Sequence, residues 1–342
     1  MAGWPLALLL GLASGLAPPS RVLLVESSDA AAVRAVFEPQ SIAVESVESI
    51  DDAALGERMA DYDGVIIRSS NRIGPAMIAA AASAGRLRVI GRAGVGVDNI
   101  DLDAARESGV AVVNAPGANS AAVAEHTIAL ALALARRVAA AHASVRAGRW
   151  ERAAFQGCLL RGKTLGVVGG GRIGREVARL GEALGMRVMS ASARGAADAP
   201  AAGHAHALDD VLRAADVLTL HVPLAEETAN LVDAAALGAM RPGACVINAA
   251  RGGVVDERAL LDALEAGALG GAALDVYSHE GAPLDPVVLA LARLPNVVCT
   301  PHIGAATAET AREVSREVAE NVARVVQGGV PEDGLVVAPD GS

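Results

Sequence analysis

The chain has 342 residues, enough for two domains that each bury a sound core. Hydrophobic residues make up 52% and aromatic ones only 2%, so Ala, Val and Leu must fill close-packed helices and buried strands, which excludes a disordered chain. The formal charge of −10, with no cluster of Lys or Arg, leaves no electrostatic footprint for nucleic acid. Cys158, Cys245 and Cys299 are far apart and without metal-ligand spacing, so we expect three reduced thiols that pack as small buried hydrophobes, and no metal.

Residues 1–20 stand apart as an N-terminal extension, because 4–17 are nearly all apolar and small and Pro18 and Pro19 follow. A signal peptide is one reading. Against it, no Lys or Arg precedes Arg21, Pro18 suits a cleavage site poorly, and the stretch is short for a membrane span. An extended or misread start ahead of a cytoplasmic enzyme fits this composition better.

From Arg21 onward, short apolar runs alternate with helical periodicity. Arg21–Val25 reads as a strand, 29–37 as a helix, 64–68 as a strand and 76–84 as a helix, with further strands at 87–91 and 110–114. Asn119 or Ser120 then caps a long Ala/Leu-rich helix running to about residue 143. That helix is apolar on most of its circumference, so it must be covered, and we read it as hinge and oligomer contact combined. A second unit follows with strands at Thr164–Val168, 187–190, 217–221, 244–248, 272–276 and 297–300, helices between them, a last helix near 307–326 and a polar tail. Apolar, β-branched strands alternating with helices predict two doubly wound α/β domains. We expect a Rossmann dinucleotide-binding domain at 117–304, inserted in a discontinuous, flavodoxin-like substrate-binding domain at 21–116 and 305–342.

The run Gly169-Gly170-Gly171-Arg172-Ile173-Gly174 stands between a strand and a helix. Gly169 allows the tight turn, Gly171 lets backbone approach a pyrophosphate, Gly174 permits close helix packing, and the helix N-terminus offers N–H groups to phosphate. An NAD site also needs a carboxylate about 20 residues on. The next strand instead ends in Ser192-Ala193-Arg194, and a hydroxyl with a guanidinium suits the 2′-phosphate of NADP. NAD or NADP is therefore the expected cofactor, with Ser192 and Arg194 leaning toward NADP. Arg251, Glu280 and His302 lie just beyond three strand ends, where such a sheet places its chemistry. A guanidinium clamps a carboxylate and polarises an oxo group, an imidazole exchanges a proton with the alkoxide, and a carboxylate beside the imidazole favours its protonated form. Together they predict hydride transfer between a nicotinamide and a 2-hydroxy acid. The other six histidines, His126 and His221 among them, read as structural or surface residues.

The segments 91–99, 114–127, 169–175, 248–256, 272–277 and 300–305 resemble the D-isomer-specific 2-hydroxyacid dehydrogenases, most of all their phosphoglycerate dehydrogenase branch, over residues 21–329. The resemblance implies cofactor contacts from Arg172, Ile173, Ala249 and Asp275, and substrate contacts from Arg68, Ser69, Arg92 and Gly94. It implies a homodimer or homotetramer in which Arg136 reaches a neighbouring subunit's site. Oxidation of 3-phosphoglycerate is its first expectation, to which the residues add an arginine supply, Arg68, Arg72, Arg92 and Arg136, larger than one carboxylate needs. Two departures bear on this. Ser192 stands where NAD-using members carry Asp and looks more like the NADPH-dependent glyoxylate/hydroxypyruvate reductases, and Val95 replaces a common threonine. The chain ends near where short members end, so no regulatory serine-binding domain is expected. A different class stays open, an NAD(H)-sensing protein like the corepressors of this fold, though no added recognition segment or basic face favours it.

Overall fold

The computed structural model describes residues 19–25, 29–192, 205–331 and 333–337. The apolar stretch 4–17 and Arg194 lie outside the described residues. In chain order the elements are β1 (Arg21–Val25), α1 (Ala30–Phe37), β2 (Ala43–Val47), α2 (Asp52–Met59), β3 (Gly64–Ile67), α3 (Pro75–Ser83), β4 (Val89–Arg92), α4 (Leu102–Glu107) and β5 (Ala111–Val113). Next come α5 (Ser120–Ala135), α6 (Val138–Arg146), β6 (Thr164–Val168), α7 (Arg172–Ala183), β7 (Arg187–Ala191), α8 (Leu208–Ala214), β8 (Val217–Leu220), α9 (Ala234–Ala239), β9 (Cys245–Asn248) and α10 (Glu257–Glu265). The chain closes with β10 (Gly271–Leu274), α11 (Pro286–Arg293), β11 (Val297–Cys299), α12 (Ala308–Val326) and β12 (Leu335–Val337).

These elements form two compact units, one within Met1–Ala115 and Ser315–Ser342, the other Pro116–Val314. In the first, the strand order is β12-β5-β4-β3-β1-β2, all parallel except β12, which runs antiparallel to β5. Its central strands β1, β3 and β5 read as apolar runs because they are buried on both faces; Leu23, Val65, Ile67 and Ile90 pack with Leu55, Met59 and Ile78 from α2 and α3. The second unit has order β11-β10-β9-β8-β6-β7, wholly parallel, and a bridge from Ser190 to Ala205 continues it beyond β7. After β6 the chain builds outward through β7 and then returns to place β8 on the other side of β6. The crevice beyond the strand ends at that reversal is where this architecture binds ligands. Asp29, Asp51, Asp101, Asp233, Asp256 and Asp285 cap the helices that follow them by accepting from backbone N–H groups, so these starts are set by sequence.

The doubly wound expectation holds for both sheets, with corrections in detail. The long helix expected to run to residue 143 is two helices: α5 ends at Ala135, Arg137 takes a left-handed φ of 53°, and α6 leaves at 64°. Much of α5 is covered within its own unit, where Val123, Ala124, Thr127, Leu130 and Ala131 are buried. The polar tail contains β12, and β2, α2 and α4 were not foreseen. Cys158 is exposed rather than buried, because it lies in an irregular segment held by its backbone N–H to Ala135 O, while Cys245 and Cys299 are partly buried. Among the described residues no single helix is long and apolar enough to cross a membrane.

Candidate active site

Three loops after β9, β10 and β11 carry the predicted set. After β9, the Asn248 amide donates to Arg251 O at 2.9 Å and its carbonyl accepts from Ala250 N at 3.1 Å, a side-chain-closed turn that points the chain at Arg251. The next residue must be glycine: a Cβ at Gly252 would stand 1.8 Å from Tyr277 O and 2.5 Å from Ser278 N. The loop bearing Arg251 therefore rides directly on the backbone that leads to Glu280. The Tyr277 hydroxyl lies 2.9 Å from Leu274 O and 3.0 Å from Thr300 O, joining the ends of β10 and β11.

His302 Nδ1 meets Glu280 Oε2 at 2.7 Å, the two side chains being about half exposed. His302 holds a φ of 54°, an unusual backbone for a side chain of its size, with its N–H bound to Asp275 O at 2.8 Å. Partial burial works against the Glu280 charge, yet the His302 ring, the Tyr277 N–H and the Arg251 guanidinium outweigh it and hold the carboxyl below its usual range. The structure thus brings Arg251, Glu280 and His302 to one place. Asp275 is 1% exposed, and its carboxylate accepts from Thr300 Oγ1, Ile303 N and Gly304 N.

The glycine-rich turn between β6 and α7 suits a dinucleotide. Gly169 has φ 110°, and a Cβ there would lie 2.3 Å from His221 O, so only glycine lets β6 and β8 end this close. A Cβ at Gly174 would lie 2.0 Å from Gly169 O, whereas one at Gly171 would meet nothing within 4 Å. The first and third glycines thus close the turn and the second faces open space. No side chain caps α7, unlike the Asp-capped helices, and its Arg172 and Ile173 occupy the first turn, where backbone N–H groups have no intrahelical acceptor. Beside this turn His221 Nδ1 is buried without a hydrogen-bond partner, and Asn119 Oδ1 and Ser120 Oγ are likewise at the start of α5. Open backbone at Gly171 and these polar atoms fit a group with phosphates and polar edges. Ala249 is buried beside Arg251, and Ser192 follows β7, whose residues from Arg187 to Ser192 include no carboxylate.

In the first unit, Arg68 and Ser69 are exposed after β3 and Arg92 ends β4. Gly94, at φ 150°, makes room for Arg92: a Cβ there would lie 1.5 Å from Arg92 Nη1. Asn99, which the sequence did not single out, donates to Arg68 O at 2.8 Å and Asn71 O at 2.7 Å and so pins the loop bearing Arg68 and Ser69. Arg136 is not with the Arg251, Glu280 and His302 set. It ends α5, about 15 Å along the helix axis from His126, near Leu134, which packs beside Gly271 at the N-terminal end of β10, the end opposite the one that leads to Asp275 and Glu280. Asn248, Gly252 and Asn99 carried no signal beyond that of ordinary turn residues.

The profile of the "D-isomer specific 2-hydroxyacid dehydrogenase, NAD binding domain" matches residues 128–304. The chain is 44% identical over 276 residues to the D-3-phosphoglycerate dehydrogenase of Archaeoglobus fulgidus, covering 78% of this chain and 50% of that one. It is 42% identical over 328 residues to the chloroplastic D-3-phosphoglycerate dehydrogenase 2 of Arabidopsis thaliana, covering 94% of this chain and 51% of that one. The chain thus spans about half the length of these curated relatives. The solved TT0316 protein of Thermus thermophilus superposes with a TM-score of 0.81 at 37% identity, covering 92% of this chain and 100% of that one.

Proposed function

The chain belongs to the D-isomer-specific 2-hydroxyacid dehydrogenases, a family of NAD(P)-dependent oxidoreductases, and on that premise we propose that it oxidises the 2-hydroxyl of 3-phosphoglycerate to give 3-phosphohydroxypyruvate. The observation that carries this reading is the 2.7 Å pairing of His302 Nδ1 with Glu280 Oε2, with Arg251 close enough to bear on the same carboxylate. The Gly169–Gly174 turn with Arg172 and Ile173, and Ala249 and Asp275 beside it, would hold NAD(P)+, which when bound would supply the acceptor for the C2 hydride. Arg251 holds the substrate carboxylate through its planar fork. With Nδ1 engaged by Glu280, Nε2 is the ring nitrogen left to take the hydroxyl proton as the carbonyl forms, and the Glu280 charge stabilises the resulting imidazolium. In the reverse direction the same nitrogen returns the proton.

The likeness to D-3-phosphoglycerate dehydrogenases and the arginines at 68, 72 and 92 support a phosphorylated substrate. A second reading, an NADPH-dependent glyoxylate or hydroxypyruvate reductase, is favoured by Ser192 at the end of β7. Initial rates with NADH and NADPH against phosphohydroxypyruvate, hydroxypyruvate, glyoxylate and 2-oxoglutarate decide between them. The leading reading expects the highest kcat/KM with phosphohydroxypyruvate; a preference for glyoxylate with NADPH selects the second, and no turnover at all favours an NAD(H)-sensing role. We place the enzyme in the cytoplasm, in keeping with three unpaired cysteines. Val138, Val145, Trp150 and Leu159 are exposed along and after α6, with Trp150 at 86%, and these uncovered apolar side chains support a homodimer in which Arg136 serves the neighbouring subunit.

A further inference from the structure

The His302 turn has a strained backbone that something must hold in place. Asp275 does so from beneath. Its Oδ1 accepts from Ile303 N at 2.8 Å and Thr300 Oγ1 at 2.6 Å, and its Oδ2 accepts from Gly304 N at 2.8 Å. Two of these donors are the backbone groups that directly follow His302. All three belong to the segment that is being held, and Asp275 is itself fixed at the end of β10 by its N–H to Asn248 O at 2.9 Å, so these three give its carboxylate no donor from another element; His126 supplies one. From the middle of α5 its Nε2 lies 3.4 Å from Asp275 Oδ1 and 3.3 Å from Thr300 Oγ1, with the side chain only 17% exposed. The His126 ring also lies against the turn, since a Cβ at Gly304 would stand 3.7 Å from its Cδ2.

We propose that His126 is a positioning residue: through Asp275 and Thr300 it ties the turn presenting the His302 imidazole to α5. A carboxylate this buried must find donors for its lone pairs, and a donor on a different element fixes its rotation as well as its charge. Burial opposes ionisation of Asp275, but the donors, His126 foremost, hold its carboxyl below the usual range. Removing His126 leaves Oδ1 with donors that move together with the turn. The imidazole then loses its fixed distance to Glu280 and to a bound carbonyl, while Arg251, held by Asn248 on another loop, keeps its place. The proposal rests on His302 being the acid/base of the reaction.

Oxo-acid reduction by His126→Ala should show kcat lowered about ten- to a hundredfold, the cost of a reacting group misplaced by up to about 1 Å, with the oxo-acid KM unchanged. His126→Gln, whose amide nitrogen reaches about as far as imidazole Nε2, should recover most of that loss. A second readout does not depend on turnover. In protein labelled with 15N-histidine, His126→Ala should shift or broaden the His302 ring signals, assigned by their loss in His302→Gln. Wild-type kcat in His126→Ala, a loss that His126→Gln does not restore, or unmoved His302 signals overturns the proposal. Should His126→Ala not fold, Thr300→Val must show the same loss confined to kcat, and full activity there overturns it. A wild-type chain that reduces no oxo acid refutes the functional reading alone, and the ring signals still decide the positioning role.

Discussion

His221 shows how a single residue reports on the fold around the cofactor turn. It directly follows β8 with its Nδ1 buried, and burial pushes its imidazole down to about 3 from an ordinary 6.5. The folded chain therefore excludes a proton that the unfolded chain binds throughout that window. Stability should fall as pH drops from 6.5 toward 3, by up to about 1.4 kcal/mol per pH unit. Replacing His221 by Gln should flatten the dependence of Tm on pH across that range, measured by thermal melts; an unchanged slope contradicts a neutral buried imidazole. That Arg251, Glu280 and His302 come together was legible from sequence, because each follows an apolar strand and strand position alone implies neighbouring ends. The clamp at Asp275 was not, since its donors at 126, 300, 303 and 304 become neighbours only on folding. The same holds for Asn99 and Asn248, whose turn chemistry is common to many loops.

At the scale of elements, strands buried on both faces announce themselves, and β1, β3, β6, β8 and β10 were read to within a residue or two. β2 has no fully buried residue, and its AVESV run lacks the apolar density of the central strands. β12 spans three residues and depends on β5 for its pairing. The break between α5 and α6 has no Gly or Pro to mark it, so the Ala/Leu periodicity runs straight through Arg137. Gly252 allows a direct test of how loops assemble the site. Its missing Cβ lets the β9 loop lie on Tyr277 O, so Gly252→Ala must push Arg251 away from Glu280. The expected outcome is a kcat/KM lowered at least about tenfold with cofactor affinity retained, read by steady-state kinetics and nucleotide fluorescence titration. Activity within twofold of wild type contradicts that close approach.

For the molecule as a whole, the doubly wound pattern and the discontinuous chain were legible, because strand and helix alternation carries the architecture. Substrate and assembly are not written in that pattern. If a phosphate is bound by Arg68 together with a neighbour's Arg136, Arg68→Ala and Arg136→Ala should each raise KM for phosphohydroxypyruvate about tenfold or more, the order lost with one charge-assisted contact, and leave glyoxylate nearly unaffected. The protein should also run as a dimer in light scattering. Equal losses on both substrates contradict a phosphate site. The central claim is narrower, that His302 backed by Glu280 exchanges the proton of the 2-hydroxyl. The most direct measurement is kcat of His302→Gln for reduction of the preferred 2-oxo acid, with nicotinamide nucleotide affinity measured in the same protein. The account predicts a fall of about 10²- to 10⁴-fold at unchanged nucleotide affinity; a kcat close to that of the unmodified chain contradicts it.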